Sequence, residues 1–301
     1  MREFSYADRK FTINGTKTFL RGEGNSAVFP LTGYPYMTKE EWLDFFGKAQ
    51  ELGINFFRFH SWTPPEAAFE AADELGIYMQ PELYGFGGTP FKPNGNDTKS
   101  ADYFKDEAVR ILHALANHPS FVMMSCGNEL DTVSSDNRTY VNQWTDLCKS
   151  VDDTRLYAEG TNNNYWNPSF NEKDDYWTTC KTHSTAQKDQ IRISFSWADD
   201  KGGGTIETLD PNTDHTYDGA LEGYEKPIMN HEAGQYQVLP NFDEEIPKYT
   251  GGVFEARNLK YYRDLMESNG LLYMNEIFSK VSARVSAIGY RADMETALRS
   301  N

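Results

Sequence analysis

Between residues 19 and 160, short apolar runs alternate with amphipathic, capped segments at about 30 residues per cycle. Strand–helix repetition at this spacing folds as parallel strands joined by right-handed crossovers, which restricts the chain to an α/β architecture. "TFLRGEGNS" reads as a strand, and "TKEEWLDFFGKAQELG" as a helix with Thr38 as N-cap, acids in its first turn and Gly53 as its stop. "INFFRFHSW" is the next strand, followed by "PPEAAFEAADELG", a helix opened by proline and closed by Gly76. "IYMQPEL" is a strand, and the helix "SADYFKDEAVRILHALANHPS" ends at the His118-Pro119 step. "FVMMSCGNEL", a helix around "TYVNQWTDLCKSVDD" and the strand "RLYAEG" complete the regular region. The strands are apolar almost throughout, as strands covered on both faces must be.

Ahead of this series, "FTINGTKTFLRG" carries Asn14-Gly15 between two β-rich runs, a strong hairpin signal. Residues 161–224 are rich in Asn, Asp, Thr, Trp and Tyr, and read as a long insertion around a sixth strand, "QIRISFSW". The glycines of "KGGGT" lack phosphate-loop spacing and make a flexible loop. "KPIMNHEAG" is a seventh strand, followed by a helix from Ala256 to about Ser268 and a final helical region from Asn275 that absorbs "RVSAIGY". The expected fold is one α/β, TIM-type barrel domain over residues 1–301, with an N-terminal hairpin (1–18), the insertion (161–224), seven strands and no eighth. An open barrel leaves two strand edges for self-association.

The net charge of −16 argues against nucleic acid or an anionic membrane as partner. Cys126, Cys148 and Cys180 are widely spaced and odd in number, which fits neither a disulfide framework nor a zinc site. No apolar run spans a bilayer and no leader-like start is present, so the cytoplasm is the default compartment. The chain contains 18 Tyr, 19 Phe and 6 Trp; most must fill the core, but the excess also suits stacking on sugar rings.

"VMMSCGNEL" drives an apolar strand into Asn128 and Glu129, and "KPIMNHEAG" repeats the design with Glu232. A carboxylate ending a buried strand is costly unless it is hydrogen-bonded, paired or used. Placed at the carboxyl ends of strands four and seven, both glutamates would face the mouth where barrels build active sites. Glycoside hydrolysis needs such a pair, one protonated to release the leaving oxygen and one ionised. Arg58, His60 and Trp62 end the second strand and Glu82 the third, which makes them candidates for substrate contact, Glu82 also as a buried partner of Arg58. Trp197, in the insertion, is a candidate sugar platform. His231, beside Glu232, is expected on the opposite face of its strand.

These motifs resemble glycoside hydrolase family 2, among the retaining (β/α)8 glycosidases of the β-galactosidase, β-glucuronidase and β-mannosidase kind. "GNEL" and the later Glu232 carry the likeness, with "FTINGTKTFLRGEG" and "LGINFFRFHSWTPPEAAFEAADELGIYMQPEL". The resemblance implies a retaining exo-β-glycosidase acting on an oligosaccharide or glycoside. In it Glu129 is the acid/base, Glu232 the nucleophile, Asn128 a hydrogen-bond donor to the sugar 2-hydroxyl, and Arg58 the cation that keeps the nucleophile charged. Leu83 and Tyr84 follow Glu82 where metal-dependent relatives place a histidine, so neither a metal nor an organic cofactor is implied. The family's eighth strand and its β-sandwich domains are not found in these residues. The rival reading is therefore a catalytically impaired or inactive carbohydrate-binding barrel fragment.

Overall fold

The computed structural model of the chain describes residues 2–29, 31–84, 86–88, 98–165, 167–183, 191, 213–250 and 255–300. Two compact units result. The first comprises Met1–Ala27, Tyr36–Thr185 and Leu221–His231, the second Val28–Pro35, Ala186–Ala220 and Glu232–Asn301.

The first unit opens with three antiparallel strands, β1 (Phe4–Ala7), β2 (Lys10–Ile13) and β3 (Thr16–Lys17). Asn14 and Gly15 turn β2 into β3 with φ of 50° and 75°, the geometry that an Asn-Gly step favours. Asp8 and Arg9 make the other turn, also at positive φ (50° and 61°); without a glycine, that turn left no clear trace in the sequence.

Among the described residues a parallel series follows in chain order: β4 (Gly22–Asn25), β5 (Phe56–Phe59), β6 (Tyr78–Pro81), β8 (Met123–Ser125), β10 (Leu156–Ala158), β11 (Trp177–Thr179) and β12 (Ile228–Asn230). Gly24 pairs with Arg58 and Arg58 with Gln80, single bridges at Met79–Phe121 and Glu82–Ser125 join β6 to β8, and Ser125 pairs with Ala158. A bridge from Thr161 to Thr178 leads to β11, whose Trp177 pairs with Ile228 of β12. A short parallel pair, β7 (Phe86–Gly88) with β9 (Asn128–Leu130), extends the upper rim. This is a partial barrel; among the described residues no sheet closes. The sixth strand is a correction: Trp177–Thr179 takes the place beside β12 that sequence patterning gives to "QIRISFSW". That run, Ile191 apart, lies outside the described residues. Three residues, two of them threonine, give too little periodicity to compete with an eight-residue alternating run.

Helices α1 (Lys39–Glu51), α2 (Glu66–Leu75), α3 (Thr98–Ala114) and α4 (Ser135–Val151) form the crossovers. Thr38 and Glu41 close a reciprocal capping box on α1, and Gly76 ends α2 at φ 74°. The apolar face of α1 lays Trp42 and Phe46 on β5, with the Phe46 and Phe57 rings 4.9 Å apart. Phe4 and Phe11 of the antiparallel strands join Phe56, Val122, Met123, Leu156, Ala158 and Tyr176 in one core. Arg2 donates to the carbonyls of Pro119 (2.8 Å), Thr154 (2.7 Å) and Phe121. The antiparallel strands thus plug the amino ends of the parallel series.

In the second unit, helix Asn275–Arg299 is lined by residues 236–242. Asn275 Oδ1 accepts from Phe242 N (3.1 Å) and Ser282 Oγ from Leu239 N (3.0 Å), and the Tyr236 ring lies against Gly289, where a Cβ would come within 2.1 Å of it. Seven helical residues rise ~10.5 Å and three extended residues reach about 10 Å, so the strap keeps step with every second turn. No described helix is long and apolar enough to cross a membrane.

Candidate active site

Left-handed backbone at non-glycine residues recurs where the parallel strands end. Ala27 (φ 56°) follows β4, Ser61 (58°) β5, Glu129 (52°) β8, Asn162 (52°) β10 and Glu232 (45°) β12. Such a conformation costs roughly 1–2 kcal/mol for most side chains, and strain of this kind gathers at functional sites. Both glutamates singled out from sequence are in this group.

Arg58 is the hub of the buried polar cluster. Its Nε donates to Glu82 Oε1 (2.7 Å), and Nη2 donates to Asn128 Oδ1 (2.6 Å) and Thr161 Oγ1 (2.6 Å). Glu82 is wholly buried and also accepts from Ser61 N (2.8 Å) and Ser125 Oγ (3.1 Å). A charge removed from water survives only when paired and fully hydrogen-bonded, and Glu82 meets both conditions. The Arg58–Glu82 ion pair is the buried pairing that the strand ends suggest, and through it Arg58 orients Asn128 and neutralises Glu82. Asn128 is 1% exposed, and among the described residues its Nδ2 has no acceptor, which leaves a buried donor to be satisfied.

Glu129 sits beside Asn128 with its side chain 41% exposed. Its Oε1 accepts from Asn162 Nδ2 (3.2 Å), and His231 Nε2 lies 3.9 Å away. His231 therefore lies on the Glu129 side of the strand ends. Just past β12 the backbone N–H of His231 donates to the Thr179 carbonyl of β11 (3.0 Å). Glu232, the next residue, opens the last segment of the second unit and accepts from Gln235 Nε2 (2.7 Å).

The remaining candidates divide. Trp62 packs edge-on against Phe59 at 5.5 Å and donates Nε1 to the Asn25 carbonyl (3.0 Å). His60 is half-buried, its N–H bonded to the same carbonyl (2.9 Å). Trp197 lies outside the described residues. Sequence reasoning missed Thr161 and Asn162; the polar run "TNNN" ending an apolar strand was the available signal. Cys126, Cys148 and Cys180 are buried thiols outside any disulfide, and burial pushes Cys126 and Cys148 up. Among the described residues no group of three or more His, Cys, Asp or Glu could hold a metal ion.

A second acidic cluster underlies the first. Glu159 accepts from Thr132 Oγ1 (3.0 Å), Arg138 Nη1 (2.7 Å) and Asn171 Nδ2 (2.8 Å), and its backbone N–H donates to Asp174 Oδ1 (2.9 Å). Burial, and then the Glu159 charge, hold the Asp174 carboxyl well above the usual carboxylate range. Burial also raises Glu159, with Arg138 opposing it.

Comparison with known proteins agrees with this architecture. The TIM barrel domain of Glycosyl hydrolases family 2 matches residues 4–277. The chain is 22% identical over 280 residues to a β-glucuronidase of Mus musculus, covering 91% of this chain and 40% of that protein. It is 26% identical over 163 residues to a β-galactosidase of Lactococcus lactis, covering 53% and 16%. Among solved structures, a β-glucuronidase from an uncultured Clostridium superposes with a TM-score of 0.60 over 76% of this chain and 38% of its own, at 21% identity. The likeness to that structure is one of fold, and the chain spans less than half the length of these relatives. With the parallel strands in order and residues 4–277 matched, the chain belongs to family 2 of the glycosyl hydrolases, as that family's TIM barrel domain.

Proposed function

We propose that this barrel serves a retaining exo-β-glycosidase that removes a terminal β-linked sugar by double displacement. The observation that carries the reading is the Asn128–Glu129 pair at the end of the fourth parallel strand, one residue locked by Arg58 and the other strained and partly open to solvent. Glu232, at the corresponding end of the seventh strand, supplies the second carboxylate.

In the first step a Glu232 oxygen attacks the anomeric carbon, the glycosidic bond breaks, and Glu129 gives its proton to the departing oxygen. Glu129, now ionised, takes a proton from water, whose oxygen attacks the anomeric carbon and frees Glu232. Asn128 Nδ2 provides the buried donor for the hydroxyl next to the reacting carbon. The β-glucuronidase and β-galactosidase relatives support a β-glycoside as substrate.

Mass spectrometry of the intact protein after exposure to a panel of 2-deoxy-2-fluoroglycosides tests the reading. A sugar-sized gain that is lost in Glu232→Gln supports it and indicates the sugar. Absence of an adduct from folded protein with every sugar overturns it in favour of an inactive carbohydrate-binding barrel.

A further inference from the structure

We propose that Asn162 is a positioning residue for Glu129, aiming the carboxyl through its amide while Cys180, just past strand β11, fixes that amide. The proposal rests on the reading of Glu129 as acid/base. Asn162 is 2% exposed, and both ends of its amide are specified. Oδ1 accepts from Cys180 N (3.3 Å) and Cys180 Sγ (3.2 Å), and the Asn162 N–H donates to the Thr178 carbonyl (2.7 Å). Because Oδ1 faces a backbone donor, the amide cannot flip, and Nδ2 must point at Glu129 Oε1, 3.2 Å away. The left-handed φ of 52° swings the side chain from the strand end toward Glu129, a conformation that asparagine tolerates better than most residues.

The neighbours of Asn162 carry out the same task on the Glu129 backbone. Thr161 O accepts from Glu129 N (2.8 Å), Asn163 Oδ1 from Leu130 N (2.9 Å), and Asn164 Oδ1 from Thr132 N (2.8 Å). Asn164 Nδ2 donates to Thr132 Oγ1 (2.7 Å), and Thr132 Oγ1 donates to Glu159. Residues 161–164 thus template residues 129–132 rung by rung, and the Asn162 side chain carries the contact to the Glu129 carboxylate. A loop held this way loses little of its geometry when that one rung is removed, so the side-chain effect can be isolated.

The variant that separates the roles is Asn162→Gly, which keeps the positive φ and deletes the amide. Acid assistance matters most for a poor leaving group, so steady-state kinetics should compare phenyl with dinitrophenyl β-glycosides of the sugar that the protein accepts. We expect kcat/KM for the phenyl glycoside to fall about 10- to 100-fold, mainly in kcat, and the dinitrophenyl glycoside to lose less than about threefold. Equal losses on both substrates would overturn the proposal while leaving the acid/base reading intact. A readout independent of turnover guards against failure of that reading: the Asn162 side-chain amide pair in a nitrogen-15 spectrum, assigned by its loss in Asn162→Gly. It should move on Glu129→Gln; an unmoved pair overturns the proposal whatever the protein hydrolyses.

Discussion

Nη2 of Arg58 lies 2.6 Å from Oδ1 of Asn128, so the buried cation of the second parallel strand fixes the amide at the end of the fourth. The same guanidinium neutralises Glu82, and the three strand ends become one rigid body. Removing Arg58 should then be costlier than removing the whole pair. Arg58→Met leaves Glu82 buried and uncompensated, and we expect a loss of about 3–5 kcal/mol in urea unfolding. Adding Glu82→Gln should recover more than half of it; an additive result would show that the two do not act as a pair.

Strain at Glu129 separates stability from chemistry. Glycine is at ease at a φ of 52°, so Glu129→Gly should be more stable than the parent by about 1 kcal/mol while hydrolysis of phenyl glycosides falls about 1,000-fold. Azide should restore turnover of the dinitrophenyl substrate, giving a β-glycosyl azide, because the anion needs no base to attack the intermediate. Thermal melts, kinetics and product analysis check the three parts; an α-azide, the product of a single direct displacement, would overturn the assignment of Glu129 as acid/base.

The buried acids predict a pH dependence of stability. A carboxyl raised in the folded state, as Asp174 is, stabilises fully below its unfolded value near 4, and that contribution is lost as pH rises toward its folded value. Asn at 174 keeps an oxygen for the Glu159 N–H and cannot ionise. Asp174→Asn should therefore gain about 1–2 kcal/mol on the wild type between pH 4.5 and pH 8, measured by urea unfolding at both. A constant difference across that range would show that Asp174 carries no extra proton.

Gly160 tests the template under Glu129. A Cβ there would come within 2.6 Å of Asn163 Oδ1, which is committed to Leu130 N. Displacing that amide orphans a buried donor, so Gly160→Ala should cost about 1–3 kcal/mol. Gly24→Ala, where a Cβ meets nothing within 4 Å, is the control and should change stability by well under 1 kcal/mol.

The sequence alone determined the strand–helix alternation, the Thr38 and Gly76 helix ends, the Asn14-Gly15 turn and the helix from Asn275, because periodicity, caps and turn chemistry are local. It also singled out the Asn128–Glu129 pair, since polar residues capping a buried strand carry a desolvation cost that is visible from composition. Tertiary structure decided the rest. Trp177–Thr179 became the sixth strand through pairing with Ile228–Asn230, a partner fifty residues away that no local window contains. Thr161 joined the Arg58 cluster, His231 came within 3.9 Å of Glu129, and Asn162 reached the same carboxylate only once strand register and left-handed backbone had set the side-chain directions. Which charge meets which is a property of packing, and a linear chain does not hold it.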